Sequence, residues 1–232
     1  MLGNLYPPNT DSAVTATTAA LPGSVILDMP PAGDQGSQSS CAAWAAIYEA
    51  GSYGYHLQTG LAYNDSTVLS PAYSYNQITR GDCTCTSLID NLNILKYQGA
   101  SPLSNMAYSD TECSLVPDSV QIKKAANFKI SKWAIVKADD LSTIKRLLFE
   151  KHVLIIVIAV DEDFEHLSSP FIWNETQHSS GQLHAVTVTG YDDSKNIFRI
   201  MNSWGNLWAD NGFAWIDYNY FKINVMDCFA VY

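Results

Sequence analysis

No apolar run in these 232 residues approaches the roughly 20 that a helical membrane span requires; the longest, residues 153–160, has the length of a strand. Charge is sparse and one-sided, with 13 Lys and Arg against 23 Asp and Glu, and the formal net charge is −10. Nucleic acids and anionic membranes are held by clustered cations, so this balance excludes both as partners. The chain also lacks a Gly-rich phosphate loop, an internal repeat and a heptad pattern. Residues 1–20 have neither the basic start nor the apolar centre of a secretory leader. They are rich in Thr, Ala, Asn and Pro and read as a flexible arm. Cysteine is scarce and odd in number, so the five residues cannot all pair within the chain. Zinc held by Cys83, Cys85 and Cys113 would need a Cys-x-Cys element in place of the usual Cys-x2-Cys. No metal and no cofactor is expected.

Hydrophobic residues make up 47% of the chain, enough for one large domain or for two lobes sharing an interface. Helical signals dominate the first part. One helix is predicted over residues 41–58, and another after Ser70-Pro71, where Pro suits a first turn. A third follows Ser87, with Asp90 completing a weak capping box, and stops at Gly99. Residues 129–136 read as a strand. Residues 141–151 form an amphipathic helix started by Asp139 or Asp140, and residues 153–160 form a buried strand. Further strands are predicted around 185–191, 197–201, 212–217 and 228–232, while 161–181 reads as a long loop. Helices first and strands later point to the α+β class.

Three blocks carry chemistry. In Asp34-Gln35-Gly36-Ser37-Gln38-Ser39-Ser40-Cys41, a thiol opens a helix after a run of small residues. A helix N-terminus offers unpaired N–H groups and the positive end of the dipole, a setting that favours thiolate. The small residues let a substrate carbonyl approach the backbone. In Gly181-Gln182-Leu183-His184-Ala185-Val186, the alternation that begins after His184 puts it at the start of a strand. In Met201-Asn202-Ser203-Trp204-Gly205, Asn202 ends a second strand. The order is therefore Gln, Cys, His, Asn.

The three blocks, in this order, resemble those of the papain-family cysteine peptidases, and bacterial-type members more than the plant enzymes or animal cathepsins. The likeness covers residues 21–232, and the 143 positions from Cys41 to His184 fit the family spacing. Asn202 lies 161 positions on, which an extra surface loop accounts for. The resemblance implies a two-lobe fold, a helical lobe over about 21–115 and a β-barrel-like lobe over about 116–232, with the active-site cleft between them. It implies Cys41 as nucleophile, His184 as its ion-pair partner and proton donor, and Asn202 fixing the imidazole tautomer. Gln35 would donate to the oxyanion beside the Cys41 N–H, and Trp204 would cover the His184–Asn202 hydrogen bond. A peptide or protein substrate, a protein inhibitor and a monomeric state are further implications.

This chain departs from the family at several points. Gln38 replaces a Cys three residues before the nucleophile, and Ala42 replaces the Trp after it, with Trp44 two positions later. No Gly-Gly pair occurs near Cys85-Thr86, so the substrate-binding residues stay unassigned. Apolar Leu183 stands where some relatives place an acid or amide. The family's disulfide pattern implies that Cys83 or Cys85 bonds to Cys113, with Cys83 at a position whose usual partner has become Gln38. Disulfides would place the chain in an oxidising compartment; export is preferred, with the cytoplasm as the alternative. His56, His152, His166 and His178 carry no motif and are expected on the surface or at helix ends. Asn64-Asp65-Ser66 and Asn174-Glu175-Thr176 fit glycosylation sequons. The arm at 1–20 is expected to be a disordered terminus, with a position over or beside the cleft as the alternative. Hydrolysis of peptide bonds is the preferred reaction. Another acyl transfer with the same residues (deamidation, transpeptidation or ligation) and a silent binding module are the alternatives.

Overall fold

In the computed structural model, which describes residues 6, 7, 9–13, 15, 19–174 and 179–232, the chain divides into two compact units. One comprises Met1–Thr10, Gln35–Trp133 and Tyr232; the other comprises Asp11–Asp34 and Ala134–Val231. His178 and the Glu175-Thr176 part of the second sequon lie outside the described residues, as does much of 1–20.

The first unit is built on helices. Helix α1 (Cys41–Ala43) runs on through a π-helical stretch, Trp44–Gly51, into α2 (Ser52–Thr59). The sequence predicts one regular α-helix here. The wider π turn is tolerated because all eight residues are buried and four are Ala or Gly, so neighbouring elements supply the packing. Helices α3 (Ala72–Thr79) and α4 (Leu88–Tyr97) pack beside it. Ser87 makes no side-chain cap on α4. Instead Asn91 donates to Ser87 O and Thr86 Oγ1, so the expected capping box is replaced by a bond from within the helix. Helix α5 (Ser119–Ala125) escaped the sequence reading, although Asp118 and Gln121 form a complete capping box there. Buried Tyr75 packs with Ala43 and Cys113, and its hydroxyl donates to Thr84 O at 3.0 Å. Cys83 is bonded to Cys113, which uses two of the three sulfurs considered for zinc. Tyr6 stacks on Tyr97 with ring centroids 5.1 Å apart, and Asn9 donates to Trp133 O. Asn64 closes a local turn, accepting from Ser66 N and donating to Ala62 O.

The second unit is an open sheet. Its strands are β1 (Ser24–Ile26), β2 (Trp133–Ile135), β3 (Leu154–Asp161), β4 (Ile172–Trp173), β5 (Ser179–Asp192), β6 (Ile197–Met201), β7 (Phe213–Asp217) and β8 (Val225–Val231). The order is β2-β8-β3-β5-β6-β7-β4, with β1 added to β5. The barrel-like expectation is thereby corrected: among the described residues the end strands, β2 and β4, are not joined. They have three and two residues, too few to carry the ladder round to closure. β3 is paired on both edges, by β5 and β8, and six of its eight residues are buried, which matches its continuous apolar run. Where β1 meets β5, a Cβ on Gly190 would run into Val25 O, so the close approach needs glycine. Helix α6 (Leu141–Phe149) starts at Asp140, whose carboxylate accepts from Thr143 N, and buries Ile144, Leu147 and Leu148. The segment expected as a loop over 161–181 contains α7 (Glu162–Glu165), β4 and the start of β5. Helix α8 (Tyr218–Asn224), capped by Asp217, was also missed.

Candidate active site

Cys41 is half-buried at the start of α1. The run before it is wound tightly. Gln35 Nε2 donates to Gln38 O at 2.8 Å, and Ser40 N donates to the same carbonyl at 2.8 Å. Ser40 O then accepts from Ala43 N and Trp44 N, so the turn passes straight into the helix. Gln35, Gln38 and Ser40 are all buried, which fixes a polar run where a surface loop would be expected. Gly36 has φ +57°, and a Cβ there would collide with the Asp110 carboxylate. Both requirements select glycine.

In the second unit His184 lies inside β5, opposite Ile158 of β3. The sequence put it at the strand's first residue because the apolar alternation begins there. Leu183 and Gln182 extend the strand upstream by pairing with Ala159 and Val160. Asn202 follows β6 directly, anchored by its N–H to Gly212 O at 3.0 Å. The two side chains meet: His184 Nε2 and Asn202 Oδ1 are 2.7 Å apart, both buried. Ser203 N–H also donates to Asn202 Oδ1, which identifies that atom as the amide oxygen. An oxygen accepts only, so Nε2 carries the proton and Nδ1 is left as the second ring nitrogen. Trp204 stacks on the imidazole at 4.7 Å with planes 29° apart. The loop bearing Trp204 is tied to 33–34 by the Asp34–Trp204 bridge and by Gly205 N–H to Gly33 O.

An aromatic cluster backs these residues. Phe164 is fully buried and lies edge-on to Trp173, His184 and Trp204, with Trp208 tilted against it. Asp161 Oδ1 accepts from Phe164 N and Trp173 Nε1, and Trp208 Nε1 donates to Phe164 O. Sequence reasoning passed over Phe164 and Asp161 because their segment read as a loop. The signal was present: an Asp three residues before an aromatic is an N-cap spacing. Burial in this apolar surrounding pushes the His184 pKa down to about 4, against the opposing pull of Asn202. An imidazolium here therefore needs an anion beside it.

Of the other histidines, His56 lies in the last turn of α2 and is bonded through Nδ1 to Leu61 O, and His166 ends α7. Cys228 is buried, which pushes its thiol far up, whereas Cys85 is exposed. Leu183 is half exposed. No group of three or more potential metal ligands occurs among the described residues, and no helix among them is long and apolar enough to cross a membrane.

Residues 26–230 match the family model of the papain family cysteine proteases. Gamete and mating-type specific protein A of Dictyostelium discoideum is 26% identical over 186 residues, which are 79% of this chain and 39% of that protein. Peptidase 1 of Euroglyphus maynei is 26% identical over 106 residues, 44% of this chain and 32% of the other. The chain thus spans about two-fifths and one-third of the lengths of these curated relatives. Among solved structures, xylellain, a cysteine protease from Xylella fastidiosa, superposes with a TM-score of 0.82 at 24% identity, covering 97% of this chain and 94% of that one. Digestive procathepsin L 3 of Tenebrio molitor larval midgut gives 0.76 at 17%, covering 94% and 72%. At these identities the structures speak for the fold, which is the papain-like α+β fold. With nearly its whole length matched, the chain belongs to the papain family of cysteine proteases.

Proposed function

We propose that the chain is a cysteine peptidase in which Cys41, His184, Asn202 and Gln35 carry out the reaction. The observation that carries this reading is the buried 2.7 Å contact of His184 Nε2 with Asn202 Oδ1 beneath the Trp204 indole. It commits the Nε2 proton to an acceptor and leaves Nδ1 for the thiol. The Cys41 proton passes to Nδ1, and the thiolate and imidazolium so formed stabilise each other as an ion pair. The thiolate attacks the scissile carbonyl carbon, and the C=O electron pair moves to oxygen. Gln35 Nε2 and the Cys41 N–H donate to that oxyanion. When the oxyanion collapses, the C–N bond breaks, the amine takes the Nδ1 proton and a thioester remains. Water, losing its proton to Nδ1, then attacks the thioester; the acid leaves and the Cys41–His184 pair is restored.

Supporting features are the family membership and the helix that opens at Cys41. The Cys83–Cys113 bond supports export to an oxidising compartment. The test is incubation with a panel of fluorogenic peptide amides and protein substrates, with mass analysis of products. Cleaved peptide with one water added supports peptidase action. Ammonia release from Gln or Asn side chains, or a newly joined amide, would move the assignment to another acyl transfer.

A further inference from the structure

The run that carries Gln35 is gripped by a second loop, residues 108–112. Tyr108 Oη donates to Gln35 O at 2.8 Å and lies 2.7 Å from Ser40 Oγ. A phenol has one proton. With that proton on the carbonyl, Ser40 must be the donor in the second bond, giving the relay Ser40 Oγ–H to Tyr108 Oη–H to Gln35 O. The ring of Tyr108 is set edge-on to Trp44, 4.9 Å away, in the helix that Cys41 opens. Two residues on, Asp110 Oδ2 accepts from both Ser37 N and Ser37 Oγ at 3.2 Å and occupies the space a Cβ on Gly36 would need. Gln38 Nε2 reaches Ser109 O at 3.3 Å and Glu112 O at 3.5 Å. The next residue, Cys113, is buried and bonded to Cys83.

We infer that Tyr108 is a positioning residue for catalysis, acting through Gln35; this rests on the reading of Gln35 as the oxyanion donor. An amide nitrogen has two protons, and Gln38 O takes one from Gln35. The direction of the other depends on the orientation of the Gln35 backbone. Tyr108 fixes that orientation by holding the Gln35 carbonyl. The following residue, Gly36, has no side chain to resist rotation of the peptide between them. An oxyanion donor works only within about 2.7–3.1 Å of the developing charge. A small rotation of this peptide therefore weakens transition-state binding and leaves ground-state binding in place.

The test is a double-mutant cycle on the full chain, using whichever fluorogenic peptide amide the wild type cleaves best. Tyr108→Phe keeps the ring against Trp44 and removes the hydroxyl. Its kcat is expected to fall about tenfold with KM within about twofold. Gln35→Ala is expected to lose about 10²–10³-fold. The double variant should match Gln35→Ala within about twofold, because Tyr108 has nothing left to position. Losses that multiply in the double variant, or a wild-type kcat in Tyr108→Phe, would overturn the inference. If circular dichroism shows Tyr108→Phe unfolded, Ser40→Ala, which removes only the donor behind Tyr108, replaces it in the cycle. Its expected loss of about threefold should vanish in the Gln35→Ala background, and a loss that persists there overturns the inference. An active wild type with a multiplicative cycle removes this inference alone. A wild type inert toward the panel and toward an epoxide thiol inhibitor removes the peptidase reading as well.

Discussion

His184 and Cys41 are held in place by different kinds of force. Around His184, the rings of Phe164, Trp173, Trp204 and Trp208 form an apolar surround, and a single hydrogen bond to Asn202 sets the tautomer. Around Cys41, the run from Gln35 to Ser40 is held by directional hydrogen bonds to Tyr108, Ser109, Asp110 and Glu112. Ring packing contributes large buried area and excludes water, so its loss is felt first in stability. A hydrogen-bonded loop buries little apolar area but fixes atoms closely, so its loss is felt first in rate. A base that must be kept in one tautomer suits the first arrangement; a donor that must meet a transient charge suits the second.

The sharpest way to test this contrast starts with the nucleophile. Cys41→Ala should bring turnover to background while circular dichroism and the melting midpoint stay near wild type, because no other group can form the thioester. Phe164→Ala should cost about 3–5 kcal/mol by urea unfolding, the range for a buried aromatic truncated to a methyl group. A similar loss of stability in Tyr108→Phe would erase the distinction between the two regions.

The protonation of His184 separates them further. Its folded pKa is pushed from 6.5 down to about 4 by burial. In Cys41→Ala, where no thiolate can stabilise the imidazolium, NMR titration should find His184 neutral at pH 7 and titrating near 4. The unfolded chain binds this proton at higher pH than the folded chain. Stability of that variant should therefore be full above pH 6.5 and fall as pH drops toward 4, by on the order of 3 kcal/mol in all. Wild type should show His184 protonated at neutral pH if the thiolate pair forms.

Asn202→Ala should lower kcat about a hundredfold with a smaller change in KM, since the imidazole loses the acceptor that sets its tautomer. Smaller again is Gly36→Ala, expected to cost about 1–2 kcal/mol from the left-handed backbone alone. Because its Cβ would also displace the Asp110 carboxylate, kcat should drop with it. A Gly36→Ala protein with unchanged kcat would mean that the Asp110 contact does not govern the geometry of the run.

Much of the fold was legible because it follows from local patterns. The apolar run at 153–160 is β3, the Asp140-led amphipathic stretch is α6, and the helix after Cys41 is present. What was not legible depends on tertiary context. The π-helical stretch has the same apolar spacing as an α-helix, and its width shows only once its neighbours are packed. The open sheet follows from two very short end strands that no pattern marks as ends. In the site, Cys41, Gln35, His184 and Asn202 stood out because motif order carries them. Tyr108 and Phe164 did not: each lies far along the chain from the residues it holds, at 73 positions for Tyr108 and Gln35. Trp204 could be read from its block, whereas the ring that backs it comes from a segment with no visible period.

The most direct measurement is reaction of the folded protein with an epoxide-type thiol inhibitor, followed by peptide mapping by mass spectrometry, in wild type and in His184→Ala. If Cys41 is the activated nucleophile, labelling falls on Cys41, buried Cys228 stays untouched and the Cys41 label is lost in His184→Ala. A folded wild type in which Cys41 stays unlabelled, or one in which the label forms equally fast without His184, would contradict that assignment.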